Sequence, residues 1–187
     1  LLAGPKTIHL PEDITALGPG GKLFDPAAGG EVRQVGADVP EGWMGVDIGP
    51  GTAAVFTDVI LDAGTVLWNG PMGVFEDPRF EAGTRAIASA MAETRAFTVV
   101  GGGDSAAAAK EFGVDTDMDH VSTGGGASLE LIEQGDLPGL AARRESAARR
   151  GWAPAREREE RQMSTRKPLI SGNWKMHNNH LEALTLV

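Results

Sequence analysis

Cysteine is absent from this 187-residue sequence, which excludes disulfide bonds, zinc sites built on thiolates and a thiol nucleophile. No run of about 18 apolar residues occurs, so no membrane-spanning helix is predicted. The first residues also lack the charged and apolar regions of a signal peptide. We therefore expect a cytoplasmic protein that has no membrane partner.

Positive charge is scarce in most of the chain. Residues 1–140 contain 7 Lys and Arg against 21 Asp and Glu, whereas residues 141–187 contain 10 against 5. An acidic body argues against general binding to nucleic acid, but it is compatible with a nucleotide that arrives with Mg²⁺ and contacts backbone groups. The length and the 41% hydrophobic content predict one packed domain with an appendage.

Short apolar runs alternate with glycine turns and helical patterns over residues 1–140. We predict strands at 7–17, 43–48, 65–68, 97–100 and 120–122. Apolar residues one helical turn apart predict the intervening helices, which begin near Thr52, Thr84, Ser105 and Ala127. The 18–40 segment has no clear period and is interpreted as a loop. Because strands that alternate with helices form βαβ units, the predicted fold is α/β with a doubly wound, Rossmann-like parallel sheet.

Two glycine-rich turns are the most informative features, VVGGGDSA at 99–106 and STGGGASLE at 122–130. Each lies between a predicted strand and a predicted helix, where backbone N–H groups and the positive end of the helix dipole favour a phosphate. Ligands of parallel sheets bind beyond the carboxyl ends of the strands, so both turns are expected to face one cleft. The turns predict a domain that binds a polyphosphate such as a nucleotide.

Arginine dominates the tract at 141–162, AARRESAARRGWAPAREREERQ. This tract has almost no apolar period and is interpreted as a solvated, disordered linker over 141–163. A nucleic-acid-binding arm is the alternative, which the interleaved acidic residues and the few aromatic side chains disfavour. The predicted units are therefore 1–140, the linker, and a further segment at 164–187.

Four motifs in the first unit resemble the phosphoglycerate kinase family. They are GWMGVDIGP at 42–50, WNGPMGVFE at 68–76, VVGGGDSAAA at 99–108 and HVSTGGGASLELIE at 120–133, in the order and at the spacing of that family. The resemblance implies two doubly wound domains, of which this chain matches the later part of the second, nucleotide-binding one. It also implies reversible phosphoryl transfer between ATP and 3-phosphoglycerate in glycolysis. Mg²⁺ would accompany ATP or ADP, the phosphoglycerate would bind through the first domain, and the kinase would be monomeric.

The resemblance implies roles for individual residues of these motifs. Gly124, Gly125 and Gly126 would present N–H groups to the transferring phosphoryl, and Asp104 would contact the Mg²⁺ that accompanies the nucleotide. The implied nucleotide-binding residues are Asn69, Pro71, Gly73, Val74, Glu76, Gly102, Gly103, Asp104 and Ser105. Without the resemblance, the glycines are explained as tight turns and Asp104 as a helix cap.

Some positions carry more specific expectations. Glu76 resembles the family's acceptor of the ribose hydroxyl groups, and Ser105 is expected to offer its hydroxyl and its N–H to a nucleotide phosphate. Trp68 is expected to lie in the core, and Thr123 to cap or position the second glycine turn. Gly51 stands where the family often has lysine, so cationic help is lost there.

A second resemblance begins at Arg166, where PLISGNWKM is similar to the first strand and loop of the triosephosphate isomerase family, a TIM barrel. It implies that Asn173 and Lys175 contact a phosphorylated substrate. The catalytic glutamate and histidine of that family would lie beyond Val187, so this segment is not expected to isomerise a substrate by itself.

The order of the segments leaves several interpretations open. The favoured origin is a pair of neighbouring glycolytic genes that are read as one frame, because Met163 stands directly before the isomerase-like segment. A genuine bifunctional kinase–isomerase is the alternative. A non-catalytic, incompletely folded fragment and a generic nucleotide-binding module are further alternatives. By itself, the chain is expected to be inactive as a kinase because the acyl-phosphate subsite is missing.

Overall fold

The computed structural model describes residues 7–149 and 168–171. The strands are β1 (Asp13–Leu17), β2 (Val32–Gly36), β3 (Met44–Ile48), β4 (Thr65–Asn69), β5 (Phe97–Gly101), β6 (His120–Ser122) and β7 (Pro168–Ser171). The helices are α1 (Pro50–Leu61), α2 (Ala82–Glu93), α3 (Gly103–Glu111), α4 (Gly125–Gln134) and α5 (Pro138–Arg149). Two 3₁₀ turns lie at Pro26–Ala28 and Asp115–Asp117.

A four-stranded parallel sheet, in the order β6-β5-β4-β7, forms the centre of the α/β fold. In its register Trp68 pairs with Val100, and Val99 pairs with His120. The connection from β4 to β5 contains α2, and the connection from β5 to β6 contains α3, as parallel neighbours require. The predicted α/β fold with a parallel sheet is confirmed.

The first two predicted strands do not belong to this parallel sheet. They form β1 and β3 of a separate antiparallel sheet with the order β2-β1-β3. The segment interpreted as a loop contains β2, which pairs with β1 from Leu17↔Val32 to Asp13↔Gly36. A parallel pairing of β1 with β3 would need a long crossover, usually a helix. This segment is rich in glycine and proline and supplies a returning strand instead.

Buried apolar side chains join the parallel sheet to α2. Trp68 and Val66 on β4 are fully buried, and Ile87 and Met91 on α2 are each 1% exposed. The burial of Trp68 agrees with its expected place in the core. A second, smaller cluster forms below the antiparallel sheet from Leu17, Val46 and Phe80.

Two helices begin inside the glycine turns, two residues before their predicted starts. Gly103 and Gly125 are the first residues of α3 and α4. Ser105 and Ala127 were expected to begin these helices, because glycine disfavours the helical conformation. The difference matters for the site, because it places the glycine N–H groups within the first helical turns, where they have no partner in the helix.

The beginning of the expected linker is helical. Residues 141–149 belong to α5, contrary to the expected lack of structure; Pro138 at the first helical position and the run of Ala and Arg favour a helix. The remainder of the linker lies outside the described residues, as do Asn173 and Lys175. Of the isomerase-like segment the structure describes 168–171, which pair with β4 in the parallel sheet rather than with any barrel strand.

Within 7–149 and 168–171, none of the helices has both the length and the apolar character needed to cross a bilayer.

Candidate functional site

A cleft opens beyond the carboxyl ends of β4, β5 and β6. Its volume is about 250 Å³, and its lining residues are Asn69, Gly70, Gly102, Gly103, Asp104, Ser105, Thr123, Gly125 and Gly126. The structure therefore brings residues of both glycine turns to one place. Gly70 is the one lining residue that sequence analysis did not single out. Gly124 caps the start of α4 beside the cleft but is not part of its lining.

The two glycine turns touch each other through their backbones. A Cβ atom added to Gly125 would lie 2.8 Å from Cα and 2.9 Å from N of Gly102. Gly102 itself has a φ of +101°, a conformation that L side chains rarely adopt. Its N–H donates a hydrogen bond to the carbonyl of Ser122 at 2.9 Å, just before the second turn. Residues with a side chain do not fit this junction.

Asn69 stands between the two turns. It is the last residue of β4, so the sheet fixes its position. A Cβ atom added to Gly125 would lie 2.4 Å from Oδ1 of Asn69, and one added to Gly102 would lie 3.3 Å away. The amide side chain therefore lies against both turns and lines the cleft.

Ser105 joins the first glycine turn to the end of β4. Its side chain is fully buried, and its hydroxyl oxygen accepts a hydrogen bond from the N–H of Gly70 at 2.5 Å. The carbonyl of Gly70 in turn accepts a bond from Nε1 of Trp68 at 2.7 Å. The hydroxyl that is expected to bind a phosphate thus accepts a hydrogen bond inside the protein, and its own proton is not used in that bond. The residue still lines the cleft within the first turn of α3.

The electrostatics of the cleft come from helix ends and one carboxylate. The N-termini of α3 and α4 both face it, which gives partial positive charge from backbone dipoles. Asp104 lies in the first turn of α3 and is exposed. None of the lining residues is a lysine or an arginine, so the positive potential of the described lining comes from backbone groups.

The side chains present fit Mg²⁺ only in company with phosphates. Over 7–149 and 168–171, no group of three or more His, Asp or Glu is placed to hold a metal. Mg²⁺ usually binds through one or two carboxylates together with water and substrate phosphates. A single exposed carboxylate at Asp104, beside two helix N-termini that attract phosphate, matches that donor set.

Four predicted nucleotide-binding residues lie on the 70–77 loop and do not line the cleft. They are Pro71, Gly73, Val74 and Glu76. The N–H of Val74 donates to the carbonyl of Val46 at 2.8 Å, which anchors the loop on β3. Glu76 is exposed at the far part of the loop. The loop begins at the cleft through Gly70 and leads away from it.

A buried carboxylate that was not predicted from the sequence lies under this loop. Asp47 on β3 is 1% exposed and accepts hydrogen bonds from the N–H of Gly83 at 2.6 Å and of Ile48 at 2.9 Å. Burial raises the pKa of Asp47 to about 7, and the two backbone hydrogen bonds oppose that rise. An acidic residue between Val46 and Ile48 in an apolar strand was the available signal, because carboxylates are rarely buried without a purpose.

A second buried carboxylate closes the 70–77 loop. Hydrogen bonds from the Arg79 side chain hold the pKa of Asp77 well below its usual range, although burial opposes this. Nη2 of Arg79 lies 2.6 Å from Oδ2 of Asp77, which also accepts the N–H of Phe24 at 2.8 Å. Asp77 thereby fixes Phe24, whose φ of +61° is unusual for a residue with a side chain.

A family model described as phosphoglycerate kinase matches residues 3–135. The phosphoglycerate kinase of Trichodesmium erythraeum (strain IMS101) is 50% identical over 137 residues, which cover 73% of this chain and 33% of that protein. The phosphoglycerate kinase of Synechococcus sp. (strain RCC307) is 54% identical over 127 residues, which cover 66% of this chain and 31% of that protein. The chain thus spans about a third of the length of the curated relatives it matches.

Solved structures give the same relationship. The structure of phosphoglycerate kinase from Coxiella burnetii matches with a TM-score of 0.63 and 38% identity, over 71% of this chain and 33% of that one. The crystal structure of phosphoglycerate kinase from Pyrococcus horikoshii OT3 matches with a TM-score of 0.56 and 32% identity, over 71% and 31%. The family match ends at residue 135 and does not include the isomerase-like segment.

Proposed function

Because the chain belongs to the phosphoglycerate kinase family, we propose that it carries the Mg²⁺–nucleotide half-site for phosphoryl transfer between ATP and 3-phosphoglycerate. The observation that carries the proposal is the backbone contact between Gly102 and Gly125, which holds the first turns of α3 and α4 at one cleft. Two adjacent helix N-termini favour a polyphosphate. The phosphoglycerate would bind through parts of the relatives outside the matched third.

The glycine turns divide the work of binding and catalysis in this proposal. Gly102, Gly103 and the N–H of Ser105 would bind the phosphates of the nucleotide. The 124–126 turn would present N–H groups to the transferring phosphoryl, where donors fixed before the reaction stabilise developing charge without reorganisation. Since phosphoryl transfer depends on positioning and charge stabilisation, changes in this turn should lower turnover more than nucleotide affinity.

Asp104 would hold the Mg²⁺ that accompanies the nucleotide. When bound, this ion supplies neutralisation of the phosphate charges. Asn69 would keep the two turns at the separation that the phosphates require. Among the residues of the 70–77 loop, Pro71, Gly73 and Val74 would shape the wall of the nucleoside pocket, and Glu76 would accept the ribose hydroxyl groups. The proposal implies a monomeric kinase that acts in glycolysis in the cytoplasm.

Calorimetric titration of the full 187-residue chain with Mg-ADP tests the half-site. Wild-type protein should bind one equivalent, and Asp104→Ala should weaken binding at least about tenfold, which corresponds to about 1.4 kcal/mol. Asp58→Ala removes the same charge from an exposed position on α1 and should bind as the wild type does. Absence of binding by wild-type protein that melts cooperatively would contradict the proposed function.

A bifunctional kinase–isomerase origin is the second candidate. It is supported by the sequence PLISGNWKM after Met163 and by the implied substrate contacts of Asn173 and Lys175. Intact mass measurement of the protein from its native source tests it. A mass that includes a whole isomerase after residue 187 would support a genuine fusion. Separate kinase and isomerase chains would support two neighbouring genes whose sequences have been read as one frame.

A non-catalytic, incompletely folded fragment is the remaining alternative. Calorimetric melting tests it, because a cooperative transition whose calorimetric and van't Hoff enthalpies agree indicates a folded unit. Cooperative melting together with Mg-ADP binding but without kinase turnover would identify a nucleotide-binding module.

A further inference from the structure

The buried carboxylate of Asp47 lies where three parts of the protein meet. It stands on β3, pairs in register with Thr15 of β1, and reaches the first turn of α2 through the N–H of Gly83. It takes part in none of the ion pairs of the described residues. Its position outside the cleft leaves it without a role in the proposed phosphate chemistry.

The backbones of the loop and of α2 both press against Asp47. A Cβ atom added to Gly73 would lie 2.4 Å from Oδ1 of Asp47, and one added to Gly83 would lie 2.3 Å from the same oxygen. The neighbouring Val46 carbonyl accepts the N–H of Val74. Val46 and Asp47, two consecutive residues of β3, therefore fix the position of the 70–77 loop relative to the antiparallel sheet.

Thr84 extends this contact from α2 back to the loop. It follows Gly83 and is fully buried, and its Oγ1 accepts hydrogen bonds from the N–H of Met72 at 3.0 Å and of Gly73 at 3.2 Å. A shift of Gly83 away from Asp47 would move Thr84 with it. The loop would then lose the acceptor shared by its two N–H groups.

We propose that Asp47 is a positioning residue for nucleotide binding, because it fixes the start of α2 and, through Thr84, the 70–77 loop. The inference rests on the proposed function, since this loop carries Gly73, Val74 and Glu76, the residues proposed for the nucleoside. Asp47 touches no nucleotide itself. Its carboxylate holds the 70–77 loop in the position in which the loop would contact the nucleoside.

Ionised Asp47 supports this geometry better than protonated Asp47. Proton uptake turns one acceptor oxygen into a hydroxyl, which is a weaker acceptor than a carboxylate oxygen, so the hydrogen bond from the N–H of Gly83 or of Ile48 weakens. Because burial places the pKa of Asp47 at about 7, this change occurs near neutral pH. Nucleotide affinity should therefore fall as the pH drops through 7.

The charged groups on the neighbouring elements do not replace this carboxylate. Asp13 on β1 is engaged with Thr52 of α1. Glu81, directly before α2, pairs with Arg85 of α2 at 2.9 Å. Glu76 on the loop is exposed.

Backbone amide resonances and Mg-ADP affinity of the full chain, both followed from pH 5.5 to 8, test the inference. In the wild type, the amide signals of Gly83, Met72 and Gly73 should shift with one common midpoint near 7. Asp47→Asn should remove this midpoint from all three signals and weaken Mg-ADP binding at least about fivefold at pH 8. Asp13→Asn, a matched change on β1 at a carboxylate that accepts N–H groups of α1, should leave midpoint and affinity unchanged.

Titration of the ADP phosphates is shared by every variant, so the pH dependence assigned to Asp47 is the part that Asp47→Asn abolishes. Thr84→Val should weaken binding without removing the midpoint at Gly83. If the Gly83 signal titrates while those of Met72 and Gly73 do not, the positioning role is wrong. If the wild type fails to bind Mg-ADP but the three amides titrate together, the proposed function fails while the structural link holds.

Discussion

Glycine at position 125 is required by a close approach rather than by its own backbone angles. The backbone of Gly102 and the side chain of Asn69 both lie within 3 Å of the place a Cβ would occupy. Gly126, the next residue of α4, has open space around the same position. The sequence GGG therefore contains residues with different reasons for being glycine.

Gly125→Ala should separate the two turns. Overpacking of this kind costs about 1–3 kcal/mol, and the displaced turn should lose Mg-ADP affinity as well. Urea unfolding and calorimetric titration measure the two effects. Gly139→Ala places the same methyl group in the first turn of α5, where nothing lies within 4 Å; it should leave Mg-ADP affinity unchanged and stability equal or slightly higher, because alanine favours the helix. Unaltered binding by Gly125→Ala would show that the turns need not touch.

Arg79 stabilises the buried Asp77 carboxylate. Arg79→Ala should destabilise the protein, because it removes the charged donor that hydrogen-bonds the buried Asp77 carboxylate. Because the folded-state pKa of Asp77 is lowered, its stabilising effect is fully present above the ordinary aspartate pKa of about 3.9 and is lost as the pH falls toward the lowered folded-state value. Urea unfolding at pH 7 and at pH 3 should show the difference between variant and wild type shrinking in acid. A difference independent of pH would contradict this account.

At the scale of elements, α1 is held by a carboxylate from another strand. Oδ1 of Asp13 accepts the N–H and the hydroxyl of Thr52, both at 2.6 Å, and Oδ2 accepts the N–H of Gly51 at 2.9 Å. These hydrogen bonds lower the pKa of Asp13, although burial acts in the opposite direction. Thr52, near which this helix was expected to begin, binds the carboxylate that caps the helix.

Asp13→Ala should therefore cost about 1–2 kcal/mol, as removal of a helix cap does. Thermal melting measured at neutral pH gives the change in stability. Asp62→Ala removes a carboxylate from the other end of the same helix, where a negative charge opposes the dipole. That variant should be as stable as the wild type or slightly more stable. Equal destabilisation by both changes would assign the effect to net charge instead of capping.

Local sequence patterns predicted the elements of the parallel sheet better than those around it. β4 and β5 follow from apolar runs that end at a glycine turn, and β6 follows from its place directly before the second glycine turn. β2 was missed because its residues are mostly exposed and show no alternation between buried and exposed sides. The pairing of β1 with β3 depends on contacts distant in sequence, which no local pattern specifies.

The residues of the candidate site likewise differ in how far the sequence predicts them. The cleft residues were predictable because glycine turns signal both a backbone conformation and a ligand. Asp47 and Thr84 were not singled out, because their role depends on which backbone N–H groups the fold brings to them. The internal use of the Ser105 hydroxyl was likewise invisible until β4 and α3 were placed side by side.

At the scale of the whole molecule, β7 covers the edge of β4. Its register runs from Thr65↔Pro168 to Trp68↔Ser171, so the segment after the arginine-rich tract contributes a strand to the sheet that carries the site. An uncovered β4 would offer its N–H and carbonyl groups to other chains. Residues 168–171 thus have a structural role as an edge strand of this sheet.

Removal of residues 150–187 should lower the melting temperature and promote aggregation, because the edge of β4 would be open. Removal of 172–187 alone keeps β7 and should preserve the melting temperature of the full chain. Calorimetry and light scattering on the three proteins, at equal concentration, measure both effects. Equal stability of all three proteins would show that β7 does not contribute to the sheet in solution.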